Sequence, residues 1–189
     1  ASIKNSVAPG GEKIITHISN FRKVKRTDDV IHVFDMIRKE IPARLLMVGD
    51  GPERHRLEEL CRELGTCHLV TFLGKVKDTE RVLSASDLFI LPSESESFGL
   101  AALEAMAAKT PVISTNTGGI PEVNEEGVSG YLSDVGNVQE MAKNALNILT
   151  SEDTLNKFKQ GAFERAKEFD LHSILPKYEE LYNRVIAKN

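Results

Sequence analysis

Four cations fall within five positions of the 189-residue chain: Arg22, Lys23, Lys25 and Arg26, in the string Ser19-Asn20-Phe21-Arg22-Lys23-Val24-Lys25-Arg26. They stand between an apolar run and an amphipathic one, where a strand would end and a helix begin. Cations there, with the amides of a helix N-terminus, suit a phosphate or diphosphate. A solvated basic turn is the other reading, and charge alone does not choose between the two. A second group is acidic. Glu96 stands in Ser93-Glu94-Ser95-Glu96-Ser97-Phe98-Gly99-Leu100, and Glu104 follows eight residues later. Ser97 is suited to cap a helix starting at Phe98, leaving the N–H groups of Phe98, Gly99 and Leu100 open at its mouth. Gly99 would let a ligand approach the backbone closely. Eight residues of helix set the two glutamates roughly 12 Å apart along the axis, and carboxylates are good acceptors for hydroxyl groups. A diphosphate at the helix mouth would then have a sugar on one side and a ribose on the other. Surface acids are the bland alternative. Against it, Glu104 lies in the apolar stretch FGLAALEAMAA, where a carboxylate buried without a partner is costly.

Two further loops carry glycines. Gly49-Asp50-Gly51-Pro52-Glu53 reads as a tight turn into a helix opened by Pro52. It is not a dinucleotide fingerprint, because Arg54 stands where the third glycine belongs and the loop follows the second strand rather than the first. Thr115-Asn116-Thr117-Gly118-Gly119-Ile120-Pro121-Glu122 reads either as a loop whose backbone closes over something or as a plain turn.

The elements that must position these loops alternate along the chain. Apolar runs at 13–19, 44–48, 69–73, 87–92, 112–114 and 130–132 read as strands. Helical patterns fill 28–39, 53–64, 79–85, 98–108 and 137–149, and two more, 153–168 and 173–187, close the chain. Runs such as LLMV and LFIL are apolar throughout, as parallel strands covered on both faces are. The fold class expected is therefore α/β, a doubly wound parallel sheet of Rossmann-like type, with ligands outside the carboxyl ends of the strands. The first twelve residues, polar and containing Pro9-Gly10-Gly11, read as a linker, and 13–170 as the domain.

Composition narrows the classes. A formal net charge of −4 argues against a general nucleic-acid binder. No apolar run reaches the ~18 residues of a membrane span, and no signal-peptide pattern opens the chain; a cytoplasmic protein is the expectation. Cys61 and Cys67 lack the spacing of a zinc site or a disulfide framework. With no Asp-x-Asp in the sequence, a metal bridging a diphosphate is not implied, and no cofactor is expected.

Together the Glu-x7-Glu pattern of Glu96 and Glu104 within ESFGLAALEAMAAKTPVI, the VGDGPE turn, the FLG segment Phe72-Leu73-Gly74 and the TGGIPEV loop resemble the retaining glycosyltransferases of GT-B architecture. The resemblance runs from about Lys13 to Leu149. It implies the second, donor-binding domain of a two-domain enzyme whose other half lies upstream, with residues 171–189 a helix crossing back to it. It implies that Glu96 contacts the donor hexose, that Glu104 binds the ribose, and that amides near Ser97, Phe98, Gly99 and Leu100 lie by the phosphates. Backbone at Gly74, Lys75 and Val76 would read the uracil. The family usually carries Arg where this chain has Asn20 and Lys where it has Lys25; Arg22 is the candidate replacement for the absent cation. The string SNFRKVKR resembles the N-acetylglucosaminyl L-malate synthases that start bacillithiol biosynthesis, in which UDP-N-acetylglucosamine gives its sugar to L-malate. Lys25 and Arg22 are then the candidate catalytic cations, and the glutamates are binding groups rather than a glycosidase acid/base pair. The chain alone is expected to bind donor but transfer no sugar, since the acceptor would dock on the other half. A homo-oligomer is left open. So are a sugar-nucleotide epimerase and a non-catalytic nucleotide-sugar module. A flavodoxin-like signalling module would need an acidic loop where the first loop is basic.

Overall fold

Six short apolar runs form six strands: β1 (Lys13–Ile18), β2 (Ala43–Val48), β3 (Val70–Gly74), β4 (Leu88–Leu91), β5 (Val112–Thr115) and β6 (Gly130–Ser133). The computed structural model describes residues 2–169; the helix expected at 173–187 lies outside the described residues. The strands form one sheet in the order β3-β2-β1-β4-β5-β6, every pair parallel. Helices α1 (Ile3–Val7), α2 (Thr27–Arg38), α3 (Arg54–Leu64), α4 (Thr79–Ser84), α5 (Leu100–Ala107), α6 (Ile120–Val123), α7 (Val138–Leu149) and α8 (Glu152–Lys167) complete the described chain.

Successive strand residues face opposite sides, and both sides are covered. Ile15, Leu45, Met47, Ile90 and Ile113 pack with Val30, Val33, Phe34 and Ile37 of α2 and with Met141, Ala145 and Ile148 of α7. Phe89, Leu91 and Val112 pack on the other side with Leu103 and Met106 of α5 and Ala162 and Ala166 of α8. Two helices depart from the sequence reading. α1 lies within the stretch expected to be a linker; the Ser2 hydroxyl accepts the Asn5 N–H, and Ile3 and Val7 pack beside Ile14, Leu46 and Val48. α6 forms within the TGGIPEV loop.

The order places a topological switch between β1 and β4, because the chain leaves β1 toward β2 and β4 toward β5. Such a switch opens a crevice at the carboxyl edge, bounded by the loops after β1 and β4. Glycines fix both loops from behind. A Cβ on Gly49 would stand 1.8 Å from the Ser19 carbonyl oxygen, and one on Gly118 (φ +53°) 1.7 Å from that of Glu96. The Gly119 N–H donates to the same Glu96 oxygen at 2.9 Å. The paired glycines thus close over residues 96–98 of the neighbouring loop.

Gly118→Ala is expected to cost more than ~2 kcal/mol, because it adds a backbone clash to positive-φ strain. Gly65→Ala, at φ +71° with open space around the added methyl, should cost about 1 kcal/mol. Urea denaturation compares them; equal losses would mean that the loop over Gly118 yields freely.

Candidate functional site

Between the two loops lies a cleft of about 370 Å³, lined by Ser19, Asn20 and Lys25 from the β1 side and by Glu96, Ser97, Phe98, Gly99 and Leu100 from the β4 side. Its central contact crosses the switch. Lys25 Nζ donates to Glu96 Oε1 at 2.8 Å, with the two side chains 24% and 13% exposed. The Ser93 hydroxyl donates to the same Oε1 at 2.9 Å. With one oxygen held by two donors, Oε2 is left as the acceptor that Glu96 can offer a ligand. Ser93 is itself fixed: its carbonyl accepts the Thr115 hydroxyl at 2.6 Å. A backbone bond from Glu94 N–H to the Val24 carbonyl, 3.0 Å, joins the loops again.

The helix mouth differs from the sequence reading. The first residue of α5 is Leu100, its cap position is Gly99 at φ +65°, and no side chain caps it, so Ser97 is not the N-cap. The left-handed turn at Gly99 takes residues 93–98 off the helical path, so Glu96 is outside the helix and the axial spacing to Glu104 does not apply. The first helical bond runs from Leu103 N–H to Gly99 C=O, so earlier amides of the first turn have no intrahelical acceptor. They open at the cleft, where Leu100 and Ala101 are lining residues.

Glu104 is exposed, with Ala102, Leu103, Ala105 and Met106 forming the buried face of α5. Glu104 therefore takes the surface position of the bland alternative, and the cost of burying a lone carboxylate does not arise. Partial desolvation nonetheless pushes its pKa up. It lines a separate depression of about 220 Å³ with Thr79, Glu80 and Leu83 of α4. Gly74, Lys75 and Val76 follow or end β3, two strands from β1, and are not among the residues lining the cleft. Arg22 and Lys23 are exposed and also outside it. Arg26, at φ +49°, donates to Asp29 at 2.7 Å and serves the start of α2. Of the four clustered cations only Lys25 lines the cleft. A neighbouring depression of about 450 Å³ shares Glu96, Ser97 and Phe98 and adds Gly118, Gly119 and Glu122.

The sequence reading passed over a polar chain beneath the cleft. His17 is fully buried; its Nδ1 lies 2.8 Å from the Ile90 carbonyl oxygen and its Nε2 2.8 Å from Ser19 Oγ. A carbonyl only accepts, so Nδ1 carries the proton. Burial lowers the imidazole from its ordinary 6.5 to about 4, so the ring is neutral near pH 7 and Nε2 accepts from the Ser19 hydroxyl. Ser19 Oγ in turn accepts the N–H of Phe21, which is buried at φ +46°. A lone histidine in an apolar strand reads as core; the available signal was Ser19 two positions on, on the same side of the strand.

A family model described as glycosyl transferases group 1 matches residues 1–165. The N-acetyl-alpha-D-glucosaminyl L-malate synthase of Bacillus anthracis is 45% identical over 176 residues, which cover 93% of this chain and 46% of that protein. The 2-deoxystreptamine N-acetyl-D-glucosaminyltransferase of Niallia circulans is 28% identical over 177 residues, 92% of this chain and 46% of that one. The chain thus spans about half the length of these curated relatives. Anabaena HepE, solved in complex with UDP and glucose, superposes with a TM-score of 0.83 at 24% identity, over 95% of this chain and 50% of that one. That likeness speaks to the fold. No helix among the described residues is long and apolar enough to cross a membrane.

Between the ordinary 6.5 and about 4, an unfolded chain protonates His17 while the folded chain does not. Stability is therefore complete above pH 6.5 and lost as pH falls toward 4. Acidification from pH 7 to pH 4 is expected to remove on the order of 3 kcal/mol more from the native protein than from His17→Gln. Urea titrations at both pH values measure this; identical pH slopes would show that His17 titrates as in water.

Proposed function

The chain belongs to the group 1 glycosyl transferases, and from that premise we propose that its cleft holds a UDP-sugar, specifically UDP-N-acetylglucosamine, for retaining transfer to L-malate. The single observation that carries this reading is Lys25 meeting Glu96 across the switch at 2.8 Å. A cation for a diphosphate and an acceptor for hexose hydroxyls are adjacent there, at the mouth of α5.

In this reading the diphosphate takes Lys25 and the first amides of α5. The free Oε2 of Glu96 accepts from the hexose, and the nucleoside runs out of the cleft, its ribose to Glu104 in the separate depression and its uracil to the backbone at Gly74, Lys75 and Val76. As the bond from the anomeric carbon to the β-phosphate oxygen breaks, UDP leaves with the electron pair. The acceptor hydroxyl oxygen bonds to the same carbon from the face that UDP leaves, and its proton passes to the departing β-phosphate oxygen. Negative charge on the β-phosphate grows along this path, so fixed donors stabilise the transition state more than the ground state. No protein nucleophile and no metal is invoked, the latter because the sequence has no Asp-x-Asp. The acceptor is taken by another part of the full-length enzyme, whose closure excludes water. The place of the reaction is bacillithiol biosynthesis in the cytoplasm.

Calorimetric titration of this chain with UDP-N-acetylglucosamine in excess chelator is expected to show binding. In the full-length transferase, Lys25→Ala should lower kcat with a loss of roughly 2–4 kcal/mol of transition-state stabilisation. Binding that vanishes in chelator and returns with magnesium would contradict the metal-free site. A raised KM with unchanged kcat would make Lys25 a ground-state binder only.

A further inference from the structure

The ladder between β1 and β4 pairs Ile15 with Leu88 and Thr16 with Phe89 and ends there. Its neighbours continue: β1 stays paired with β2 as far as Ile18 opposite Val48, and β4 with β5 as far as Leu91 opposite Ser114. Only the central pair stops short, directly below the cleft. Past its last rung the tie between the two strands is a side chain, His17 Nδ1–H to the Ile90 carbonyl. The ring is stacked between Phe21 and Phe89, with centroids 6.3 and 6.2 Å away. Its other nitrogen takes the Ser19 hydroxyl, and Ser19 holds the Phe21 amide in a conformation that residues other than glycine rarely adopt.

A neutral imidazole suits this place because it donates in one direction and accepts in nearly the opposite one, from a rigid ring. An aliphatic side chain of similar bulk would leave the strand carbonyl and the serine hydroxyl unsatisfied. It would also free the loop after β1, which carries Lys25.

We propose that His17 is a positioning residue for the donor: its imidazole bridges β1 and β4 where their ladder ends and, through Ser19, holds the loop so that Lys25 and Glu96 face one ligand. The inference rests on the nucleotide-sugar reading of the cleft. The relay acts as a unit, so losing either member has the effect of losing both.

UDP is titrated into this chain and its variants by calorimetry. His17→Phe, which keeps the aromatic stack, and Ser19→Ala are each expected to weaken UDP about tenfold, the scale of one ordinary hydrogen bond. The double variant should be no weaker than either single one, and His17→Gln, which places an acceptor near the position of Nε2, should recover to within about threefold of the native protein. The proposal is overturned if His17→Phe or Ser19→Ala binds UDP as the native chain does, if the two losses add, or if His17→Gln is as weak as His17→Phe. Nitrogen-15 NMR of the native imidazole is an independent readout that needs neither donor nor variant. A neutral Nδ1–H tautomer at pH 7 is expected, and an Nε2–H tautomer overturns the relay. A native chain that binds no UDP would instead overturn the nucleotide reading, leaving the tautomer to decide the relay.

Discussion

At its centre the sheet has to continue as one layer and also open at one edge. The short β1–β4 ladder meets both demands: two paired positions join the halves, and beyond them the strands part. Every feature of the candidate site follows from that parting. The loop after β1 carries Lys25 and the loop after β4 carries Glu96, and the two meet across the crevice at 2.8 Å. Glycines of the loops after β2 and β5 support them from outside, at distances where no side chain fits. His17 supports them from below.

An ion pair at this depth has consequences for binding. Both side chains are more than three-quarters covered, so removing one partner would strand the other in a poorly solvated place. An entering diphosphate would bring its own negative charge to Lys25. Glu96 need not follow, because Ser93 anchors the same carboxylate oxygen. The acid can thus keep its position while the cation turns toward phosphate. The start of α5 supplies further donors, its first amides having no acceptor within the helix.

Much of this was legible in the residues. Continuous apolar runs gave away parallel strands buried on both faces, and each strand lies within a residue or two of where its run suggested. Lys25 and Glu96 were legible because a cation cluster falls in the loop after β1 and a Glu-x7-Glu pattern opens in the loop after β4. What escaped depended on backbone geometry or on three-dimensional facing. Whether Glu104 is covered was not legible in an otherwise apolar helix; which face is outward is decided by the sheet it packs on. Ser97 has the chemistry of a cap, but the positive φ of Gly99 starts the helix two residues later. Arg22 and Lys25 look alike in sequence, yet a 3₁₀ turn at Lys23–Lys25 separates an exposed cation from one lining the cleft. α1 escaped because Pro9-Gly10-Gly11 dominates its neighbourhood, and His17 because nothing in a strand pattern tells a packed histidine from a bridging one.

In the proposed complex the nucleotide diphosphate sits in the crevice between β1 and β4. A crystal structure of this chain with UDP-N-acetylglucosamine tests it most directly. The diphosphate is expected within hydrogen-bonding reach of Lys25 Nζ and the first amides of α5, with a hexose hydroxyl on Glu96 and the ribose at Glu104. A nucleotide seated elsewhere, with the Lys25–Glu96 pair unchanged beneath an empty cleft, would contradict it.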